Sequence, residues 1–165
     1  MSSPNHAQLR ETMIRCLREF IAGSIIYNQQ VADRVGLRLT DMQCINVLEL
    51  TGPSTPSELA RSTGLTTGGV TVMLDRLEKG GYVKRQPNPR DRRSVLVRLN
   101  PAKLKKIQAF YGEINQRMAT LLDETPEPEL RSVVDLFAKM NAFRAEHPPR
   151  VAVAHKKRQA AGSNA

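Results

Sequence analysis

The stretch that most constrains this chain is residues 55–99, TPSELARSTGLTTGGVTVMLDRLEKGGYVKRQPNPRDRRSVLVRL. Its opening Thr55-Pro56-Ser57-Glu58 joins a capping box to a proline at the first helical position, so a helix starts there. That helix is expected to run to Ser62, with Gly64 taking the turn. Thr66 then caps a second helix over 67–79, which Gly80-Gly81 ends. Two helices that cross at a sharp turn need a small residue at the crossing and apolar residues around it. Ala60 is small where they meet, Leu59 faces the partner helix, and Leu65 fills the space beneath the turn. Val70 and Met73 hold the second helix down. This is the pattern of a helix-turn-helix.

Two β runs follow, over 82–85 and 94–99. In the second, Val95, Val97 and Leu99 alternate with Ser94, Leu96 and Arg98, a half-buried pattern. The intervening 86–93 carries Pro87 and Pro89 and is too long for a tight hairpin, so it is expected to stand out as a wing. The fold class that results is mainly α with a small β wing, a winged helix-turn-helix flanked by long helices.

The flanks support this. Residues 1–7 read as a disordered lead-in. From Gln8 to Arg34 there is no proline and one glycine, Gly23, while Leu9, Met13, Cys16, Leu17, Phe20, Ile21, Ile25 and Val31 form a broad apolar stripe. A helix of that length spans roughly 40 Å, too long for one small domain to bury. A second helix is expected from Thr40, as N-cap, to Leu50, with Cys44, Val47 and Leu48 on one face and Gly52-Pro53 closing it. Beyond the wing, Asn100-Pro101 opens another long helix whose Leu104, Ile107, Tyr111, Ile114, Met118 and Leu121 step as a heptad seam. Thr125-Pro126 starts a last helix carrying Leu130, Val133, Phe137 and Met140. Residues 8–36 and 101–146 are therefore read as a helical dimerisation region around a DNA-binding domain at 37–100. Residues 147–165, basic and without an acid, read as a disordered tail.

The net charge of +9 favours a polyanionic partner, and its placement is informative. Between Lys84 and Arg98 six basic residues (Lys84, Arg85, Arg90, Arg92, Arg93, Arg98) face one acid, Asp91. Enzymatic chemistry is not indicated. The three histidines, His6, His147 and His155, fall near the ends, and no phosphate loop, nucleophile elbow or paired carboxylates occur. Cys16 and Cys44 give neither a disulfide framework nor metal-ligand spacing, so no metal or cofactor is expected. With no apolar run of membrane length and no signal-peptide core in MSSPNHAQLR, a cytoplasmic location without membrane contact is expected.

On the second helix of the motif, Val70, Met73, Leu74 and Leu77 face inward, while Gly68, Thr71, Val72, Asp75 and Lys79 lie outward. N-terminal residues of such a helix reach base edges in the major groove. Thr66, Thr67 and Thr71 offer hydroxyls, and Gly68 and Gly69 permit close approach. Val72, β-branched and outward, suits a thymine methyl. Arg76 belongs to the same expected surface. At the wing, Arg90, Arg92 and Arg93 suit the narrow minor groove, and Asp91 is expected to hold one of them by an ion pair.

In this order of elements the chain resembles the MarR (multiple-antibiotic-resistance regulator) family of transcription factors, over roughly residues 9–144. The most specific segments are SELARSTGLTTGGVTVMLDRLEKGGYVKR and DRRSVLVRL. The resemblance implies a homodimer formed by the first and last two helices, binding double-stranded DNA at a pseudo-palindromic operator. It implies a minor-groove role for Arg93, supported by Asp91. It also implies repression relieved by a small apolar or phenolic effector, or by cysteine oxidation. The implied effector pocket would draw on the first, second and fifth helices, with Cys16, Phe20, Met42 and Cys44 as candidate lining. Cys16 lies on the apolar stripe without the tyrosine-rich setting of oxidant sensors, so a buried, inert thiol is expected there. The competing reading is an architectural protein that binds DNA without sequence preference. It differs in one observable: a regulator prefers its own site by about a thousandfold or more.

Overall fold

The structure is a computed structural model and describes residues 5–147. Six helices and one two-stranded sheet follow in the order α1 (His6–Val35), α2 (Leu39–Thr51), α3 (Pro56–Thr63), α4 (Thr67–Lys79), β1 (Val83–Pro87), β2 (Val95–Leu99), α5 (Pro101–Asp123) and α6 (Glu127–Glu146). The chain divides into two compact units, residues 1–114 and 115–165.

In the first unit, the helix-turn-helix forms where its capping chemistry places it. Thr55 Oγ1 accepts the Glu58 N–H at 3.3 Å, and Glu58 Oε2 accepts the Thr55 N–H at 2.7 Å. These bonds hold the Glu58 carboxyl below its ordinary pKa, with the Thr55 N–H as the largest cause. Gly64 closes α3 at φ 70°, a left-handed conformation that glycine adopts without a Cβ penalty. Thr66 Oγ1 then accepts the Gly69 N–H at 3.1 Å and starts α4. A Cβ on Gly69 would stand 3.3 Å from that same oxygen, so glycine leaves the cap undisturbed.

The core collects Leu59 of α3, Val70, Met73, Leu74 and Leu77 of α4, Met42, Cys44, Ile45 and Leu48 of α2, and Val83 and Val97 of the sheet. α1 adds Val31 and Ala32, and α5 adds Leu104 and Ile107. Two tyrosines tie α1 to this end of α5. The Tyr27 hydroxyl donates to the Phe110 carbonyl at 2.5 Å, the Tyr111 hydroxyl donates to Asn28 Oδ1, and the two rings lie 5.4 Å apart. β1 and β2 pair antiparallel with Val83 opposite Leu99 and Pro87 opposite Val95. Ser54 extends the base of this sheet through reciprocal backbone bonds with Val97.

Several boundaries differ from the sequence reading. α1 begins at His6, inside the expected lead-in, because Asn5 and Gln8 form a reciprocal capping box. α2 begins at Leu39 with Arg38 as its N-cap, not Thr40. The reason is Asp41, whose Oδ2 accepts the Arg38 N–H at 2.9 Å. β1 extends to Pro87, which shortens the wing loop to 88–94. In β2, Val97 is fully buried but Val95 is exposed, so the alternation holds only at the base of the hairpin. The expected tail at 147–165 and the first four residues lie outside the described residues, apart from His147 beyond the end of α6.

Much of α1 has an uncovered apolar face. Leu9, Ile14, Phe20, Ile21, Ile25 and Ile26 are exposed, and Cys16 is exposed among them, contrary to the buried thiol expected. The stripe is real, but its periodicity could not show how exposed these side chains would be. In the second unit α6 has no buried residue, with Val133, Val134, Phe137 and Phe143 exposed.

Cys44 is the opposite case. Burial, helped by nearby Asp41, pushes its thiol up to about 12. At neutral pH a thiol reagent is expected to leave Cys44 untouched until urea unfolds the protein, whereas Cys16 reacts without unfolding, more slowly at protein concentrations where association covers the α1 face. Labelling of Cys44 in the folded protein as fast as in urea would contradict this packing.

Candidate nucleic-acid interface

α4 and the wing present the two parts of the site. On α4, Thr67, Gly68, Thr71, Val72, Asp75 and Lys79 are exposed, and the four buried residues occupy the opposite face. Val72 is 61% exposed, a large apolar side chain kept in water. The Thr71 hydroxyl donates to the Thr67 carbonyl at 3.0 Å, leaving its lone pairs available to an outside donor. Thr66 is committed to the cap described above. Gly68 would meet nothing within 4 Å if it carried a Cβ, so its surface is open.

Two ion-pair systems fix this helix. Asp41, fully buried on α2, accepts from Arg76 Nη2 at 2.5 Å through Oδ1 and from Nε at 2.9 Å through Oδ2. Its Oδ2 also takes the Arg38 N–H, so a single carboxylate caps α2 and grips α4. Arg76, placed on the binding surface by sequence reasoning, is thus turned toward Asp41 by two of its nitrogens. Its side chain remains 29% exposed, with Nη1 outside that fork. The guanidinium is held further above its ordinary pKa, chiefly by the Asp41 hydrogen bonds.

The second system is Arg85 on β1. Its Nη2 donates to Asp75 Oδ1 and its Nη1 to Glu78 Oε2, each at 2.7 Å, while its N–H donates to Glu78 Oε1 at 3.0 Å. This staples the wing to α4 and neutralises two carboxylates that would otherwise repel phosphate. Arg85 is therefore engaged inside the protein, and it leaves the local excess of base to other residues.

The wing loop braces itself with Asx turns. Asn88 Oδ1 accepts the Arg90 N–H at 3.0 Å, and Asp91 Oδ1 accepts the Arg93 N–H at 3.0 Å. Asn88 Nδ2 donates to Ser94 Oγ at 2.9 Å across the loop. Asp91 thus positions Arg93 through the backbone and not through the ion pair expected from sequence. The guanidiniums of Arg90, Arg92 and Arg93 are all exposed and none pairs with a carboxylate among the described residues. Sequence reasoning missed Asp41, Arg85, Asn88 and Ser94. The Asn88-to-Arg90 and Asp91-to-Arg93 spacings of two are the readable Asx-turn signal, whereas the Asp41–Arg76 pairing, 35 residues apart, has none.

The candidate effector residues fall in two settings: Cys16 and Phe20 are exposed on α1, whereas Met42 and Cys44 are packed in the core on α2. A cavity of about 430 Å³ lies elsewhere, lined by Thr51, Pro53, Ser54, Glu58, Arg61 and Ser62.

The sequence comparisons settle the family. A MarR family profile matches residues 35–94. An uncharacterised helix-turn-helix transcriptional regulator of Bacillus subtilis, YcgE, is 34% identical over 84% of this chain and 91% of its own length. The chain belongs to the MarR family. The multiple antibiotic resistance protein MarR of Salmonella typhimurium is 40% identical over 62 residues, 38% of this chain and 43% of that protein. Among solved structures, a MarR-family regulator from Silicibacter pomeroyi superposes with TM-score 0.63 at 16% identity, covering 88% of this chain and 97% of that one. A point mutant of S. aureus MepR, bound to an oligodeoxyribonucleotide, superposes with TM-score 0.52 at 18% identity, covering 79% and 96%. Like the family, the chain is a DNA-binding transcription regulator and not an enzyme. No helix among the described residues is long and apolar enough to cross a membrane.

For a MarR-family chain, the wing geometry yields a direct expectation. Replacing Arg93 by Ala should lower the slope of log affinity against log salt by about 0.9 for each phosphate left without its cation. Asp91→Ala, which keeps every cation but frees the Arg93 backbone, should weaken binding while leaving that slope nearly unchanged. Fluorescence anisotropy with a labelled duplex, between about 50 and 200 mM salt, checks both.

Proposed function

We propose that this MarR-family chain binds a pseudo-palindromic operator as a homodimer and represses transcription until a small apolar or phenolic effector releases it. The observation that carries the reading is the division of labour on the DNA-binding surface. A recognition helix with short polar residues and one exposed valine stands beside a wing whose three exposed arginines pair with no carboxylate among the described residues.

In this reading α4 enters the major groove. Thr67, Gly68, Thr71 and Val72 approach base edges, with Val72 against a thymine methyl. Thr66 and Gly69 set the height of the helix end, where backbone N–H groups favour phosphate. Arg76 contributes through the nitrogen that Asp41 does not use. The wing places Arg90, Arg92 and Arg93 at the minor groove, where the focused negative potential favours arginine, and Asp91 orients Arg93.

The homodimer rests on the uncovered apolar faces of α1 and α6. Exposed Phe, Ile and Leu side chains in such runs favour association. Two copies would carry their recognition helices about 34–36 Å apart, one turn of B-DNA. The helical regions at 8–36 and 101–146 are the proposed dimerisation region, and the cytoplasm is the proposed location. Effector binding draws on Cys16, Phe20, Met42 and Cys44, with α1 of the dimer contributing its exposed pair, Cys16 and Phe20.

Selection from a randomised duplex library by the full chain should return an inverted repeat, and sedimentation at micromolar concentration should give twice the chain mass. Val72→Ser should relax preference at one A·T position per half-site, a discrimination of about 1–3 kcal/mol. An unenriched pool would favour the architectural reading, and an unchanged site for Val72→Ser would remove that residue from base recognition.

A further inference from the structure

The strand register sets Lys84 directly opposite Arg98 on the outer face of the wing hairpin. Both side chains are exposed, and neither pairs with a carboxylate among the described residues. Side chains directly opposite across an antiparallel pair have Cβ atoms about 4.5–5.5 Å apart, and like charges there oppose pairing. The inner face of the same hairpin shows the contrast. There Arg85, one residue along, is neutralised by Asp75 and Glu78, and Val83 and Val97 are buried. The chain thus cancels its cations on one face of a five-residue ribbon and juxtaposes two of them on the other.

We infer that the Lys84–Arg98 pair is a second phosphate contact, one that engages duplex DNA outside the grooves read by α4 and the wing tip. The inference rests on the DNA-binding reading above and deepens it. The pair lies four residues from the loop that begins at Asn88, about 13 Å up the strand at 3.3 Å per residue. The phosphates it meets therefore lie outside the groove that the tip enters. Cross-strand cations suit that partner because a duplex offers closely spaced phosphates, and each one neutralised releases counterions. The geometry is two-pronged. Arg98 can chelate one phosphate with its planar fork, and Lys84 adds a point charge beside it.

This assignment makes stability and binding move in opposite directions. Lys84→Glu converts the like-charged pair into an opposite-charged one, so the thermal midpoint of the free protein should rise. Binding of a mixed-sequence duplex of about 40 base pairs by the same variant should weaken at least about fivefold at roughly 100 mM salt, and the salt slope should fall by about 0.9 for each phosphate no longer neutralised. Lys84→Gln and Arg98→Gln, which remove charge without adding an acid, should each lower the slope by a similar step. A raised midpoint with unchanged affinity and slope would overturn the proposal and leave the face to an acidic protein segment. Lowered affinity with an unchanged slope would also overturn it, because the weakening would not be electrostatic. Arg93→Ala measured in parallel separates this failure from failure of the DNA-binding reading. If Arg93→Ala weakens binding and the Lys84 and Arg98 variants do not, only the outer contact is wrong.

Discussion

Asp41 is the point on which the reading surface depends. One carboxylate, shut away from water, caps the first turn of α2 and accepts two hydrogen bonds from Arg76 of α4. Burying a charge is costly unless it is paired and fully hydrogen-bonded, so the site tolerates one arrangement of α4 on α2 and few others. Apolar packing by Val70, Met73, Leu74 and Leu77 would hold the helix against the core, but such contacts permit small slides and rotations. The bidentate fork adds direction, because a guanidinium and a carboxylate meet well in one plane only. The buried pair thus fixes the rotation at which α4 presents Thr67, Thr71 and Val72 to solvent.

The same economy of charge extends to the wing. Arg85 ties β1 to Asp75 and Glu78 of α4, so the hairpin and the helix are positioned against each other by two ion pairs as well as by the core. The loop beyond is organised by Asn88, Asp91 and Ser94 through hydrogen bonds that engage none of its arginine guanidiniums. Cations near this surface thus divide into those that build it, Arg85 and, through two of its nitrogens, Arg76, and those with no carboxylate partner among the described residues, Arg90, Arg92 and Arg93. Counting charge along the sequence cannot make that division. Six basic residues between Lys84 and Arg98 look equivalent until Arg85 is seen to be engaged.

The helix-turn-helix was legible because its determinants are local. The Thr55–Glu58 capping box, Gly64 at the turn and Thr66 at the next cap each act over a few residues, and α4 begins and ends where they place it. The winged hairpin was legible as an element, though Pro87 joined β1 because a strand end tolerates proline when its missing N–H faces outward. What escaped were interactions between distant residues. Asp41 reads as an ordinary helix-start acid, and nothing in the chain announces Arg76 as its partner. The apolar stripe of α1 showed helical periodicity, but not that Cys16 and Phe20 would lie in water while Met42 and Cys44 lay in the core. That difference in burial comes from tertiary packing, which periodicity along one helix does not encode.

A double-mutant cycle across Asp41 and Arg76, read by urea unfolding, tests the central constraint most directly. If the buried pair fixes α4, Asp41→Asn and Arg76→Met should each destabilise the protein, and the double variant should cost much less than their sum. The coupling energy should be on the order of 2 kcal/mol, well beyond the range for independent sites. Effects that add to within about 0.5 kcal/mol would contradict the account and leave α4 held by its apolar face alone.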